Sequence, residues 1–306
     1  MHISENYRLP SLDDFGIATL KILIFAAFIV LGWALINKIT RFDDHHALFV
    51  ERNTAYALER VGLVFGQAIA FTTLISARSD DIRSDFVWLG GGGVWILVVL
   101  LVVRTIARSL IVAGEPADAG TAGTSGKAAH GARGGRTVDR TLSAGLVRGS
   151  FYVATGMVLD AGLSGSAPDL TTKFVSTEVF TILGIVILVV GYLANGRIGP
   201  YRLNERVREG NMAAAVISSG FMIALGLVLR KAIYGDFIGW TNSLVNAAVT
   251  AVGSLIVFYL LCSVVNRWVI ANATLSEIVA GGQELAAAVV AGAFIAIAIG
   301  VSLVVA

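Results

Sequence analysis

Eight long apolar stretches dominate this chain and limit what it can fold into. They cover roughly residues 17–38, 54–77, 86–112, 141–163, 174–195, 211–235, 238–271 and 284–305. A helix needs about 20 mostly apolar residues to cross the hydrocarbon core of a bilayer. Strands of a membrane barrel would instead alternate in polarity, and these stretches do not. We therefore predict an all-α polytopic membrane helix bundle of about eight transmembrane helices, surrounded by lipid.

The composition supports this class and excludes several others. Hydrophobic residues make up 56% of the chain, charged residues 14%, and the mean hydropathy is +0.78; in soluble domains the charged fraction is about a quarter. The formal charge of +2 gives no indication of nucleic-acid binding. The single cysteine, Cys262, excludes an intrachain disulfide and a thiolate metal cluster.

The sequence contains no motif that indicates catalysis. A P-loop, a dinucleotide fingerprint, a nucleophile elbow and an HExxH zinc motif are all absent. The run Asp43–His46 has residue types that bind metals, but it lacks the fixed helical spacing of a metal motif, and a solvated loop is the favoured interpretation. We expect no enzyme activity, cofactor or metal.

Lys and Arg residues are distributed unevenly between the loops. Fourteen follow the first, third, fifth and seventh spans, and five follow the second, fourth and sixth. Cytoplasmic loops carry the excess of Lys and Arg, so both termini are predicted to lie outside the cytoplasm. The acidic residues Glu5, Asp13 and Asp14 precede the first apolar stretch, which we interpret as a retained span rather than a cleaved signal peptide.

A charged segment that leads into an apolar helix is repeated along the chain. The stretch "NERVREGNMAAAVISSG" begins at Asn204, and "SEIVAGGQELAAAVVAG" begins at Ser276 with the same layout. Each has a glutamate, then an amide, then a glycine nine residues after the amide. An earlier copy keeps the amide and the glycine, and a fourth has Val147 in place of the amide. The matching positions are Glu205 and Glu277; Asn53, Asn211 and Gln283; and Gly62, Gly156, Gly220 and Gly292. The spacing predicts four repeated helix pairs in parallel orientation.

The best copies, "ERVREGNMAAAV" and "SEIVAGGQELAAAV", resemble the YjfL-like bacterial inner-membrane proteins, which carry the domain of unknown function 350. The resemblance is weaker in "VERNTAYAL". It implies two tandem copies in a bacterial inner membrane, where the distribution of Lys and Arg places both termini in the periplasm. We divide the chain into an N-terminal segment (1–16), a first four-helix copy (17–165) that contains a flexible cytoplasmic linker (114–139), and a second four-helix copy (166–306). The resemblance implies no catalytic residue.

The repeated residues have two interpretations. Asn53, Asn211 and Gln283 can cap helices or join neighbouring ones at the cytoplasmic ends. Alternatively, these amides converge with Glu205 and Glu277, and with Glu209 and Glu284, on a polar vestibule for a cation or a partner protein. Small residues allow helices to approach closely in a bilayer, so we assign the repeated glycines to helix packing.

Glu59 is the strongest candidate for a functional ionisable group. It lies about 9 Å into the second span if the helix starts at Asn53, and a carboxylate at that depth is costly unless it faces a bundle interior or a watery path. A structural alternative is that Glu59 pairs with a basic residue of a neighbouring helix while Arg60 reaches the cytoplasmic surface. Solvation near the outer interface explains Asp160 and Glu178, and Arg148, Arg230 and Lys231 are expected to extend to the membrane surface.

Two functions are compatible with these features. The first is a channel or transporter for a small polar or cationic solute, indicated by the repeated bundle and by Glu59. The alternative is a non-transporting membrane scaffold whose charged cytoplasmic segments recruit a peripheral membrane-stress protein, because proteins of the family it resembles are often encoded near phage-shock-like proteins. A homo-oligomer is compatible with either function.

Overall fold

The computed structural model describes residues 12–40, 48, 53–76, 82–111, 130–198, 202–268 and 274–304. Ten helices lie in these ranges, and they contain no strand. The helices are α1 (Leu12–Thr40), α2 (Thr54–Ser76), α3 (Ile82–Leu110), α4 (His130–Gly162), α5 (Leu170–Ile198), α6 (Leu203–Arg208), α7 (Met212–Ile233), α8 (Trp240–Trp268), α9 (Leu275–Ala280) and α10 (Glu284–Val304). The run Asp43–His46 lies outside the described residues.

Eight of these helices are long and apolar enough to cross a membrane. They correspond to the eight predicted spans, which confirms the all-α polytopic class. The other two, α6 and α9, are six residues long and directly precede α7 and α10. These two short helices contain the charged segments of the sequence repeat.

The even-numbered spans form an inner row in the order α2, α4, α7, α10. The remaining spans cover this row from outside: α3 packs against α2 and α4, α5 against α4 and α7, and α8 against α7 and α10. Helix α1 contacts α2 and α3. The two middle helices of the row are the most buried, with 78% of the α4 and α7 span windows buried against 17% for α1.

Three of the four repeated glycines lie at contacts within the inner row. A Cβ atom added at Gly62 would collide with the backbone of Gly149, and one at Gly156 with the backbone of Gly66, so α2 and α4 meet backbone to backbone. Gly220 lies in the same way against Ala291 of α10. Such close approach is available only to very small residues.

Gly292 requires a correction, because it was expected at a helix contact. It is exposed on α10, and no atom lies within 4 Å of the position that its Cβ would take. The reason is its place in the row: α10 is the last inner helix, so its outward face has no further inner helix of this chain against it.

The run of glycines in α3 packs against neighbouring helices and does not break the helix. Helix α3 is continuous from Ile82 to Leu110. Gly91, Gly92 and Gly93 lie against Phe174, Leu74 and Phe28, respectively. The large side chains of three neighbouring helices therefore fill the space that the missing side chains leave.

Helix α4 begins inside the segment that was predicted to be a linker. Its backbone is helical from His130, whereas the linker was placed at residues 114–139. Extension of an existing helix costs less than nucleation of a new one, so a polar segment joined to a membrane span can continue its helix.

Each short helix ends in the same glycine turn. After α6, Gly210 has φ 90°, its N–H donates to Val207 O, and the N–H of Asn211 donates to Arg206 O. After α9, Gly282 has φ 61° and makes the equivalent bond to Val279 O. This pattern is the Schellman motif, which favours glycine at the left-handed position. This turn connects each short charged helix directly to the membrane span that follows it.

Candidate functional site

Glu59 lies in a buried cluster formed by α2, α3 and α4. Its exposed fraction is 5%, and Arg108 Nη2 lies 3.0 Å from Glu59 Oε1. Arg148 Nη1 lies 3.5 Å from Oε2, and Arg104 Nε lies 3.6 Å from Oε1. The hydroxyl of Tyr152 donates a hydrogen bond of 3.3 Å to Oε1. We call Glu59, Arg104, Arg108, Arg148 and Tyr152 the arginine cluster.

The arginine cluster carries excess positive charge. Three guanidinium groups surround one carboxylate, and arginine remains protonated in proteins. Arg104 and Arg108 are four residues apart on α3, a spacing that places like charges side by side and is unfavourable without an anion between them. Glu59 supplies one such anion, so the described residues of the cluster carry two more positive than negative charges.

Arg148 is held near this carboxylate by the chain that follows α3. Its Nη2 donates to Ile111 O at 2.5 Å. Its Nε is buried, and among the described residues no hydrogen-bond partner lies within reach. A buried donor without a partner is costly, so an acceptor that reached this N–H would be stabilising.

Arg60 differs from the expectation that it reaches the cytoplasmic surface. Its exposed fraction is 3%. The guanidinium donates to Asn37 Oδ1 and to the hydroxyl of Tyr56, and its Cζ lies 5.1 Å from the ring centroid of Trp33. Cation–π contact and neutral hydrogen-bond acceptors hold this charge inside the bundle.

A second ionic contact lies near the C-terminal ends of the inner helices, away from the arginine cluster. Asp160 was expected to be solvated, but its side chain has no exposure. Its Oδ2 lies 2.6 Å from Arg230 Nε, and its Oδ1 accepts from the hydroxyls of Thr72 and Thr73, both at 2.7 Å. Asp160 therefore joins α2, α4 and α7. Glu178, by contrast, is exposed on α5.

The three repeated amides at the helix starts differ in what they contact. Asn53 Oδ1 accepts from the N–H of Tyr56 at 3.0 Å, and Asn211 Oδ1 accepts from the N–H of Ala214 at 2.9 Å, so both cap their helices. Asn211 also donates to Val279 O at 2.6 Å, which joins α7 to α9. Gln283 is exposed.

The acids of the repeat are directed to the surface rather than toward Glu59. Glu205 pairs with Arg202 at 3.3 Å and Glu209 with Arg206 at 3.0 Å, all with side chains at least half exposed. Glu277 completes a capping box with Thr274. The structure does not bring these acids and the amides together in the vestibule that was considered as the alternative.

The partners of Glu59 were missed at the level of the sequence. Arg104 and Arg108 are two of the fourteen Lys and Arg residues assigned from the sequence to the cytoplasmic loops, although they lie in the last two turns of α3. The signal that was available is their spacing in "VVRTIARSL", which places both on the same face of a long apolar helix. Within the described residues, no group of three or more His, Cys, Asp or Glu side chains is placed to hold a metal ion.

The family described as Domain of Unknown Function (DUF350) matches residues 11–163 and again residues 169–305. The chain belongs to this family. No curated protein and no solved structure matches it. The two DUF350 copies follow one another along nearly the whole chain, so the predicted resemblance and tandem arrangement are confirmed.

The arginine cluster belongs to the first DUF350 copy. Glu59 precedes the repeated glycine Gly62 by three residues, and the same position before Gly220 is Ile217 in the second copy. Ile217 is 1% exposed and packs in the apolar core. The helix pair can therefore be built without a carboxylate at this position, which favours a role for Glu59 beyond packing.

Proposed function

We propose that this integral membrane protein transports a small polar solute, and that the solute is an anion rather than a cation. The observation that carries this proposal is the arginine cluster, in which three guanidinium groups share one carboxylate inside the bundle. Ionisable side chains buried in membrane spans mark solute pathways in many membrane proteins.

Electrostatics favour the anion. Two unit charges 4 Å apart interact by about 4 kcal/mol at an effective dielectric constant of 20. A cation beside Glu59 would meet one opposite and three like charges, whereas an anion would meet the reverse. The cationic solute considered from the sequence is therefore the less favourable choice.

The packing of the inner row favours a transporter over an open channel. Helices α2 and α4 meet backbone to backbone at Gly62 and Gly156, and α4 meets α7 where Gly226 lies against Ala154. These contacts leave no room for a solute between the helices. Passage would require a conformational change, as in alternating access.

Flux through liposomes tests this proposal. Purified protein in phosphatidylcholine liposomes should pass small anions in preference to potassium. Arg108→Gln should lower the anion flux, because it removes one of the three cations, and Arg108→Lys should retain most of it. Arg202→Gln, which changes an exposed arginine outside the arginine cluster, is the matched control. Cation-selective flux, or equal flux in Arg108→Gln and the parent, would contradict the proposal.

The scaffold remains a second proposal, and the exposed repeat acids favour it. Glu205 and Glu209 have side chains 59% and 58% exposed and form charged strips on short helices beside the membrane spans. A peripheral membrane-stress protein that binds there should lose affinity for Glu205→Gln and Glu277→Gln in nanodiscs. The transport proposal predicts that neither substitution changes anion flux.

We also propose an inner-membrane location with both termini in the periplasm, on the basis of the uneven distribution of Lys and Arg. Alkaline phosphatase fused after Ala306 should be active. A cysteine placed at Ser125 should react only with reagents that enter the cytoplasm, and its labelling from outside would reverse this topology.

A further inference from the structure

We propose that an anion bound by Arg104 and Arg108 releases the C-terminal end of α3 from Glu59, so that α3 acts as a gate over the arginine cluster. The proposal rests on the proposed transport function, because it takes the transported anion as the ligand. Helix α3 is held in different ways at its two ends, and that difference identifies the end that opens.

The N-terminal half of α3 is anchored by packing and by an ion pair. Gly91 lies against Phe174 of α5, and the ring centroids of Trp88 and Phe174 are 4.8 Å apart. Asp85 Oδ2 lies 2.8 Å from Nζ of Lys21 on α1. These contacts fix this half of the helix to α1 and α5, and a bound anion at the other end of α3 has no effect on them.

The C-terminal end of α3 is held by arginines of other helices. Arg148 Nη2 on α4 donates to Ile111 O at 2.5 Å, and Arg208 Nη2 on α6 donates to Leu110 O at 3.2 Å. The last carbonyl groups of a helix have no partner within the helix and carry the negative end of its dipole, so cations there are stabilising. Polar contacts, which an anion can disrupt, therefore hold this end.

The ionic contact between α3 and the inner row depends on a single carboxylate. Arg108 donates from Nε and lies with Nη2 at 3.0 Å from Glu59 Oε1, and Arg104 Nε lies 3.6 Å from the same atom. The facing groups of the inner row, Glu59 and Arg148, have charges that sum to zero. An anion bound by Arg104 and Arg108 would balance the charges that Glu59 now balances, and would repel Glu59 as a like charge. Binding thus removes the attraction that holds α3 in place.

Apolar packing opposes this release only weakly in a bilayer. Val103 and Ala107 are 0% exposed near the C-terminal end of α3. When they leave the inner row they meet lipid tails, which are as apolar as the side chains that they leave. Arg108 lies about 22 Å along the helix axis from Gly93, so a tilt of about 10° at the anchored glycines moves it by about 4 Å. This displacement breaks its contact with Glu59.

Alkylation of a buried cysteine tests the release. Cys262→Ser removes the native thiol, and Ala107→Cys then places a thiol at a buried position of α3. N-ethylmaleimide is applied to the protein in phosphatidylcholine nanodiscs, with inorganic phosphate and, separately, chloride as the anion. Gluconate keeps the ionic strength constant, because salt alone screens ion pairs. At least one of the two anions should raise the alkylation rate about fivefold or more, which is the lower end of typical ligand couplings.

Ala70→Cys is the matched control, because Ala70 is also 0% exposed but lies on α2, about 16 Å along the helix from Glu59. Its alkylation rate should not respond to either anion. Val103→Cys places a thiol at the same end of α3 as Ala107→Cys and should respond in the same way, so one misfolded variant does not end the test. Thermal unfolding of each variant verifies that the fold is retained.

Arg208→Gln tests the contacts that hold α3 closed. It removes a donor to Leu110 O but leaves the arginine cluster intact, so it should raise the alkylation rate of the Ala107→Cys protein in the absence of both anions. Arg206→Gln is the matched control, because Arg206 pairs with Glu209 on the surface. It should leave that rate unchanged.

Two results would overturn the proposal. The first is an alkylation rate that neither phosphate nor chloride changes in the folded α3 variants, and the second is an equal rise in Ala70→Cys. Anion flux in liposomes together with such an unchanged rate would refute the release of α3 and leave transport standing. An anion-dependent rise without any flux would support the release and contradict the transport proposal.

Discussion

Arg108 Nη2 and Glu59 Oε1 lie 3.0 Å apart and join α3 to α2 inside the bundle. The side chain of Glu59 is 7% exposed and that of Arg108 39%, so the contact runs from the interior toward the surface. A ligand that enters from this end would reach Arg108 before it reaches Glu59. An anion that enters this way would be attracted first by the exposed guanidinium of Arg108 and then held by Arg104 and Arg148.

Substitution of Glu59 should destabilise the protein. Glu59→Gln keeps the size of the side chain but leaves three arginines without their carboxylate, and removal of one partner from a buried ion pair costs about 3–5 kcal/mol. Denaturation in detergent micelles measures the loss. Glu178→Gln, which changes an exposed glutamate of α5, should differ from the parent by less than about 0.5 kcal/mol. Equal stability of the two variants would show that the arginine cluster does not depend on Glu59.

The spans could be predicted from the sequence because hydropathy depends on local composition alone. The burial of Glu59 followed from its depth in α2. Its partners did not follow, because the position of Arg104, Arg108 and Arg148 around one carboxylate depends on how three helices pack, and a single sequence does not specify that arrangement.

Asp160 illustrates the same limit at the other end of the bundle. It lies near the end of α4, where an acid is ordinarily solvated, and its burial is made favourable by Arg230 on α7 and by the hydroxyls of Thr72 and Thr73 on α2. The repeat located each glycine and amide within its own helix. It did not specify which helices lie side by side, so it could not indicate that the helix carrying Gly292 lies at the end of the inner row.

The helix caps should differ in their contribution to stability. Asn211→Ala removes the cap of α7 and the bond to Val279 O, and Asn53→Ala removes the cap of α2 alone. A lost cap costs about 0.5–2 kcal/mol, so Asn211→Ala should be the more harmful. Gln283→Ala changes an exposed amide at the same repeat position and should have little effect. Chemical denaturation of the three variants ranks them, and a large loss for Gln283→Ala would contradict this order.

The contact between the α4–α5 loop and the α7–α8 loop, in which Ser166 donates two hydrogen bonds to Asp236, should weaken in acid. Hydrogen bonds from the backbone N–H and the hydroxyl of Ser166 hold the pKa of Asp236 below its usual value. A carboxyl group whose pKa is lower in the folded state stabilises the fold above its unfolded pKa of about 3.9. This contribution is lost as the pH falls through the folded pKa. The unfolding temperature should therefore decrease below about pH 4.

Asp236→Asn isolates this effect, because the amide oxygen can still accept both bonds from Ser166 but does not titrate. As the pH falls from about 5 to about 3, across the ordinary pKa of aspartate, the variant should lose less stability than the parent. Asp169 also has a lowered pKa, through its bonds to Thr172, so Asp169→Asn should remove a further part of the acid sensitivity. An identical pH profile for the parent and the double variant would exclude both residues as its source.

Gly220 and Gly292 occupy the same position of the repeat but should respond differently to leucine. A Cβ at Gly220 would lie 2.6 Å from Ala291 Cα, so Gly220→Leu must separate α7 from α10. Overpacking of this kind costs about 1–3 kcal/mol. Gly292 has no atom within 4 Å of its Cβ position, so Gly292→Leu should melt like the parent when the protein is a monomer in detergent.

Thermal unfolding and light scattering, recorded together, distinguish the outcomes. A loss of stability in monomeric Gly292→Leu would contradict the end position of α10, whereas dissociation of a parent oligomer by this substitution would place the outward face of α10 at the interface between copies.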